Sequence, residues 1–390
     1  MLYYLFDWLD RAFDFPGAGV FQYITFRASM SAITSLLIML FCGKPFIRFI
    51  RRKSIGETVR NLGLEGQKEK EGTPTMGGLL ILSAIIIPTL LFAKLDNVYV
   101  IAMLVTTLWL GFIGFVDDYI KVFRKDKKGM PGRFKVFGQV MLGLGVGLLL
   151  SFHPDIASTK TTSPFVKGND FDYAWLISWM GDWTANWVWV VYVLVAIFVV
   201  TAVSNASNLT DGIDGLATST ASIIGGALAI LAWLSGNIIM ANYLNIVYLS
   251  NIGELTIFIT AFVRATLGFL WFNSFPAEVF MGDTGSLALG GILAVFALLI
   301  RKELLLPILC GIYLVEDFSV ICQTWGCKLY RRRHHLPLNQ PVPIEHRPFL
   351  MTPIHHHYQK QGIPEPKIVQ RFAIIGILLA IVSIVTLKLR

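Results

Sequence analysis

Two adjacent carboxylates close the stretch Phe112-Ile113-Gly114-Phe115-Val116-Asp117-Asp118-Tyr119-Ile120-Lys121, in an apolar run that begins near Val98. Crossing a bilayer takes about 20 apolar residues. Ionised groups are costly in hydrocarbon, so the pair belongs at or just beyond the interface. Neighbours on a helix diverge by about 100°, which gives Asp117 and Asp118 different surroundings and different tasks. Carboxylates also oppose the macrodipole at a helix C-terminus, where cations are favoured. A bound divalent cation would offset that opposition. The plainer alternative is that the pair only marks where the helix leaves the membrane.

Three other stretches carry polar chemistry. Asn205, Asn208, Asp211 and Asp214 recur at every third position, with Gly212 and Gly215 among them. Steps of three lag a full helical turn by about 60°, so a continuous helix would scatter these groups over half its surface. The glycines favour a break. Such a break is either a turn leaving the membrane or a loop offering amides and carboxylates to a polar ligand, and uracil with ribose presents a matching set of donors and acceptors. In Phe280-Met281-Gly282-Asp283-Thr284-Gly285-Ser286, Asp283 has the pattern of an N-cap for the next span. The positive end of that helix also suits a phosphate. His355-His356-His357 lacks the spacing of a helical zinc site and lies near a basic loop, so phosphate contacts are favoured over zinc. No Walker or dinucleotide glycine pattern occurs.

The elements that must position these groups are membrane helices. The 390 residues are 55% hydrophobic and 15% charged, with a mean hydropathy of +0.63, which excludes an ordinary soluble protein. Apolar runs of spanning length fall near 24–47, 75–93, 98–116, 134–151, 187–204, 213–234, 253–272, 285–300, 304–325 and 369–387. Ten spans place both termini on one side. The connections at 48–72, 121–135 and 326–371 hold 22 of the 33 lysines and arginines, whereas the alternate connections hold five. By the positive-inside rule the first set is cytoplasmic. The expected architecture is all-α and polytopic, a single domain over 1–390 with termini outside, an outer insertion at about 152–186 and a cytoplasmic histidine loop at about 326–368. Met1 to Gly17 reads as an interfacial helix and not as a cleaved signal. The tryptophans at 175, 179, 183, 187 and 189 read as an outer interfacial belt. Four cysteines in or beside apolar runs imply no disulfide framework. Every dense polar motif then falls on the cytoplasmic face.

From about Thr25 to its C-terminus the chain resembles the phospho-N-acetylmuramoyl-pentapeptide transferases, the MraY family of the polyprenyl-phosphate hexose-1-phosphate transferase superfamily. The resemblance is carried by Gly72-Thr73-Pro74-Thr75-Met76-Gly77-Gly78, Asp117-Asp118-Tyr119, Asn205 to Gly215, Gly268 to Asn273, Phe280 to Ser286, and Pro353-Ile354-His355-His356-His357-Tyr358. It implies transfer of phospho-MurNAc-pentapeptide from UDP-MurNAc-pentapeptide to undecaprenyl phosphate in the bacterial inner membrane, giving lipid I and UMP. Magnesium is the implied cofactor. Asp117, Asp118 and Asp283 match the essential aspartates, with Asp283 the metal ligand. His355 and His357 match the required histidines, with His356 between them in contact with substrate. Asn205, Asn208, Asp211, Asp214, Asn273 and Phe280 match the nucleoside region, Phe280 stacking on uracil. Lys70, Thr75, Lys121 and Lys135 match the walls of the cleft. Implied partners are the two substrates, the bilayer and a second copy of the chain as a homodimer candidate, with no nucleic acid.

Glu71 and Gln359 depart from the family pattern, and Arg264 stands inside a span, with Glu316 and Asp317 as candidate partners. Two other assignments compete. One is a sister enzyme that uses UDP-N-acetylglucosamine; the other is an ion-coupled transporter built on those intramembrane charges, which internal repeats would favour.

Overall fold

Apolar runs this long fold as helices because every backbone polar group must be satisfied without water. The computed structural model describes residues 1–53, 72–126, 128–165, 170–179, 181, 186–337 and 340–388. Helices α1 (Leu2–Phe13), α2 (Ile24–Arg52), α3 (Gly78–Phe92), α4 (Val98–Phe123) and α5 (Gly132–Phe152) come first. After them β1 (Lys160–Thr162) pairs antiparallel with β2 (Asp170–Asp172), Lys160 opposite Asp172, and α6 (Trp175–Ser178) follows. The rest comprises α7 (Val188–Thr210), α8 (Leu216–Gly236), α9 (Ile238–Leu244), α10 (Leu255–Asn273), α11 (Gly282–Leu299), α12 (Leu306–Leu309), α13 (Gly311–Arg333), α14 (Ile354–Lys360) and α15 (Glu365–Val385).

All ten expected spans are helical over most of their length. Among the described residues, eight helices are long and apolar enough to cross a bilayer. The second expected span, α3, is 15 residues long, and the ninth is broken: Glu303–Leu309 and Gly311–Arg333 meet at 75°. Phe41, Phe198, Trp271 and Trp325 are each more than 70% exposed along these helices, an outward apolar belt that suits lipid. The architecture is that of a polytopic membrane protein.

The hub is α11, buried from Thr284 to Leu299. It packs against α4 and α7, and also against α3 and α8. Small residues let its neighbours come close, as is usual where helices pack in lipid. The decisive approach is at Gly114 of α4, where a Cβ would lie 2.2 Å from the Asp283 carbonyl oxygen. That contact sits one turn before Asp117 and Asp118 and presses their stretch of α4 against the start of α11.

At the opposite end of the bundle, buried charges pin Ile156, Thr162 and Tyr173 to the core. Arg301 donates to the carbonyls of Leu150 (2.9 Å) and Ile156 (2.8 Å), Lys302 donates to Thr162 Oγ1 at 2.7 Å, and Tyr173 donates to Glu303 at 3.0 Å. Burial first, then the charge on Glu303, raises the Tyr173 hydroxyl above its ordinary pKa, so it remains a donor. Trp175, Trp179 and Trp187 are exposed here. Trp183 lies outside the described residues.

Three expectations change. The break expected from Asn205 onward begins only at Asp211, because α7 continues to Thr210 and keeps Asn205 and Asn208 helical. The proline-rich loop expected from about 326 begins later, since α13 runs on to Arg333. Arg264 has no ion pair among the described residues and is exposed; Glu316 is held instead by His355.

Candidate active site

The C-terminal turns of α4 present Asp117 and Asp118, both buried, to the first turn of α11, which carries Asp283. One oxygen from each of the three carboxylates lies within 4.8 Å of the others. At that separation two unit charges repel by roughly 3–4 kcal/mol at an effective dielectric of about 20. Counter-charge is therefore required, and two lysines supply it. Lys121, one turn beyond Asp117, places Nζ 2.6 Å from Asp117 Oδ2 and 3.2 Å from Asp283 Oδ2. Lys135, from α5, lies 3.1 Å from Asp117 Oδ2 and also pairs with Asp283 Oδ2. The macrodipole problem at the end of α4 is thus answered by cations and by the N-terminus of α11.

The two neighbouring aspartates do different work. Asp118 accepts from Asp283 N (3.0 Å), Thr284 N (2.9 Å) and Thr284 Oγ1 (2.5 Å). It caps α11 from another helix, the role expected of Asp283 from its sequence position. Asp283 lies inside the first turn, so its own side chain is released toward the lysines and toward Asn208, whose Nδ2 donates to Asp283 Oδ1 at 3.1 Å and to Ser286 Oγ at 2.8 Å. Asp117 takes Met130 N at 2.6 Å on its other oxygen, which ties the segment just before α5 to the cluster.

Oxygen-only donors converging between two helices fit a hard divalent cation such as magnesium. The donors on Asp118 all belong to the start of α11, whereas two of the three on Asp117 and on Asp283 are lysine side chains that can move aside, so the residues fitted to hold such an ion are Asp283 and Asp117.

Other expected site residues distribute around this centre. Asn205 pairs with Gln139 through both halves of its amide, at 3.2 and 3.0 Å, and Nδ2 also donates to Thr201 O. Asn273 is buried and well bonded: it accepts from Gly215 N and Thr218 Oγ1 and donates to Val279 O. It holds together the start of α8, the end of α10 and the connection to α11. Asp214 accepts from Ala277 N at 3.1 Å in the same knot, and Asp211 is half-buried beside it in the α7–α8 turn. Phe280 is half-buried and Thr75 buried; their segments join through Phe280 N to Pro74 O (2.8 Å) and Gly77 N to Phe280 O (2.9 Å). Lys70 and Glu71 lie outside the described residues.

The histidines occupy α14, and among the described residues their hydrogen bonds go to Glu316, Gln359, Leu350 and Gln361, away from the three carboxylates. His355 is fully buried, with Nδ1 3.1 Å from Glu316 Oε2. His356 bonds Gln359 at 2.6 Å, and His357 Nδ1 accepts from Leu350 N at 3.1 Å. Gln139, Ser286, Thr284 and Met130 join the site without having been expected. The signal available for Gln139 was a lone amide inside an apolar run.

Comparison with known proteins bears directly on this centre. The family model described as glycosyl transferase family 4 matches residues 100–301, and the phospho-N-acetylmuramoyl-pentapeptide-transferase signature 1 matches 70–82. Proteins named phospho-N-acetylmuramoyl-pentapeptide-transferase from Flavobacterium psychrophilum, Parabacteroides distasonis and Porphyromonas gingivalis are 54%, 53% and 50% identical, over 100% of both chains in each case. The chain belongs to the phospho-N-acetylmuramoyl-pentapeptide transferase family. The 70–82 segment that carries the transferase signature is the one bonded to Phe280, three residues before Asp283. The glycosyl transferase match covers Asp117, Lys121, Lys135, Asn208 and Asp283 together.

Proposed function

We propose that the protein transfers phospho-MurNAc-pentapeptide from UDP-MurNAc-pentapeptide to undecaprenyl phosphate, forming lipid I and UMP. Its full-length identity with transferases of that name carries the reaction, and the lysine-bridged carboxylates between α4 and α11 supply a fitting site. The working orientation is ten spans in the inner membrane with both termini periplasmic and the carboxylates facing the cytoplasm, which the lysine and arginine distribution supports.

Phosphoryl transfer is mainly a matter of positioning and charge neutralisation. Lys121 and Lys135, now on Asp117 and Asp283, swing onto the donor's diphosphate as it enters. The N-terminus of α11, held in place by Asp118, adds partial positive charge at the same spot. Asn208 fixes the rotamer of Asp283. Asp283 and Asp117 would hold a magnesium ion, which when bound neutralises developing charge on the leaving UMP. The acceptor's phosphate has a second pKa of about 6 and is largely a dianion near neutrality, so it attacks the donor's β-phosphorus without strong base catalysis. Asp117 orients it and takes up a residual proton. The P–O bond to UMP breaks as the P–O bond to the lipid phosphate forms, and no covalent enzyme intermediate arises.

The test offers purified protein each UDP-sugar with a polyprenyl phosphate, with and without EDTA, and follows UMP. Release with UDP-MurNAc-pentapeptide, abolished by EDTA, is the expected result. Preference for UDP-N-acetylglucosamine would overturn the donor assignment.

A further inference from the structure

A second buried polar assembly lies under the α7–α8 turn, and the transfer scheme leaves it without a task. Its centre is Glu316 of α13, which has no exposure to solvent and whose Oε2 lies 3.1 Å from His355 Nδ1. In the tautomer with hydrogen on Nδ1 the imidazole donates to this oxygen. The far side of the imidazole faces backbone: a Cβ on Gly212 would lie 2.2 Å from His355 Nε2. Among the described residues, Glu316 Oε1 and His355 Nε2 are buried without a hydrogen-bond partner. Leaving such groups unsatisfied costs stability. A buried ion-pair-like contact is in itself weak evidence for stability.

The geometry joins three elements. Glu316 belongs to α13, His355 to α14, and Gly212 to the turn carrying Asp211 and Asp214. A second clamp holds the segment before α14 to α13: Gln323 donates to Phe349 O at 3.1 Å and accepts from Phe349 N at 3.0 Å. On the other side, Asp214 and Asn273 tie the same turn to the segment leading into α11.

We propose that Glu316 is a positioning residue for the donor: through His355 it presses on Gly212 and fixes the Asp211–Asp214 turn in the conformation that binds the nucleoside end. The inference rests on the proposed function, in which that turn belongs to the nucleoside pocket. It assigns no role to Glu316 at the reacting phosphorus. His355, fully enclosed between α13 and the turn, acts through the backbone it supports.

The test uses full-length purified protein and three substitutions. Glu316→Leu removes the acceptor, Glu316→Gln keeps an oxygen for Nδ1–H, and Gly212→Ala pushes on the ring from the other side. UMP affinity is read by calorimetry, KM for each substrate by initial rates, and folding by thermal melting. Glu316→Leu and Gly212→Ala should weaken UMP binding and raise the donor KM at least tenfold. The acceptor KM should stay within twofold, and Glu316→Gln should restore most of the affinity. A merely structural part would affect both substrates alike and track the melting temperature. That pattern, or unchanged UMP affinity in folded Gly212→Ala, would overturn the inference. If Glu316→Leu does not fold, the Gln and Gly212→Ala variants decide by the same criteria. Failure of the wild type to bind UMP would instead defeat the assignment of the turn to the nucleoside.

Discussion

Asp283 stands where every strand of the site meets: one oxygen takes Asn208, the other takes both lysines, and its own backbone N–H is held by Asp118. Replacing it with Asn keeps the shape and the Asn208 neighbour but removes the charge that the lysines balance. Asp283→Asn should therefore lose magnesium-dependent turnover by about 10²-fold or more, in line with the loss of a main electrostatic group, while the protein still melts cooperatively. Near-normal rates at ordinary magnesium would show that Asp283 has only a structural part. Asp118 shows that a role legible in sequence can fall to a different residue. Adjacent carboxylates suggested two roles, and the pattern around Asp283 suggested a cap. The structure gives the cap to Asp118, because capping needs only an acceptor aimed at free N–H groups and does not require that it come from the same chain segment.

At the scale of elements, the site exists because α4 and α11 touch through Gly114. Gly114→Ala should cost about 1–3 kcal/mol as an overpacked contact. It should also lower turnover by roughly 10²-fold, since a displacement near 1 Å is enough for that; melting and initial-rate measurements separate the two effects. Helix positions were legible in sequence because apolar length is a strong signal, and all ten runs became helix. The bend at Cys310 and Gly311 was not, since hydropathy averages over a 75° change in direction. Nor was the fate of Glu316, whose partner His355 lies 39 residues away in a connection with no periodic pattern. Polar contacts between distant helices depend on packing angles that composition does not encode. Asn273 is a milder case: its motif is visible, but the buried knot it ties appears only once α8, α10 and their connections are in place.

Across the whole molecule, the carboxylate end and the Arg301–Glu303 end are separate in both place and task. Tyr173→Phe leaves Glu303 Oε1 without its donor and should lower stability by about 1.5–3 kcal/mol, seen as a lower melting temperature, with turnover at permissive temperature unchanged. Orientation can be read from labelling. With exposed Cys42 replaced by Ser, a cysteine at Asp155, whose side chain is 75% exposed, should react with an impermeant reagent from outside intact cells, and one at exposed Lys360 should not. The reverse would overturn the orientation drawn from charge. The central claim is that this lysine-bridged centre passes the phospho-sugar directly from nucleotide to lipid. A carboxylate nucleophile offers the rival route, most plausibly Asp117 forming an aspartyl-phosphate. The deciding measurement mixes enzyme, magnesium and donor labelled in the sugar with all polyprenyl phosphate stripped away, quenches within one turnover, and repeats with the lipid restored. UMP appearing only after lipid is added is the predicted result; a stoichiometric burst of UMP without lipid, with label retained on the protein, would contradict it.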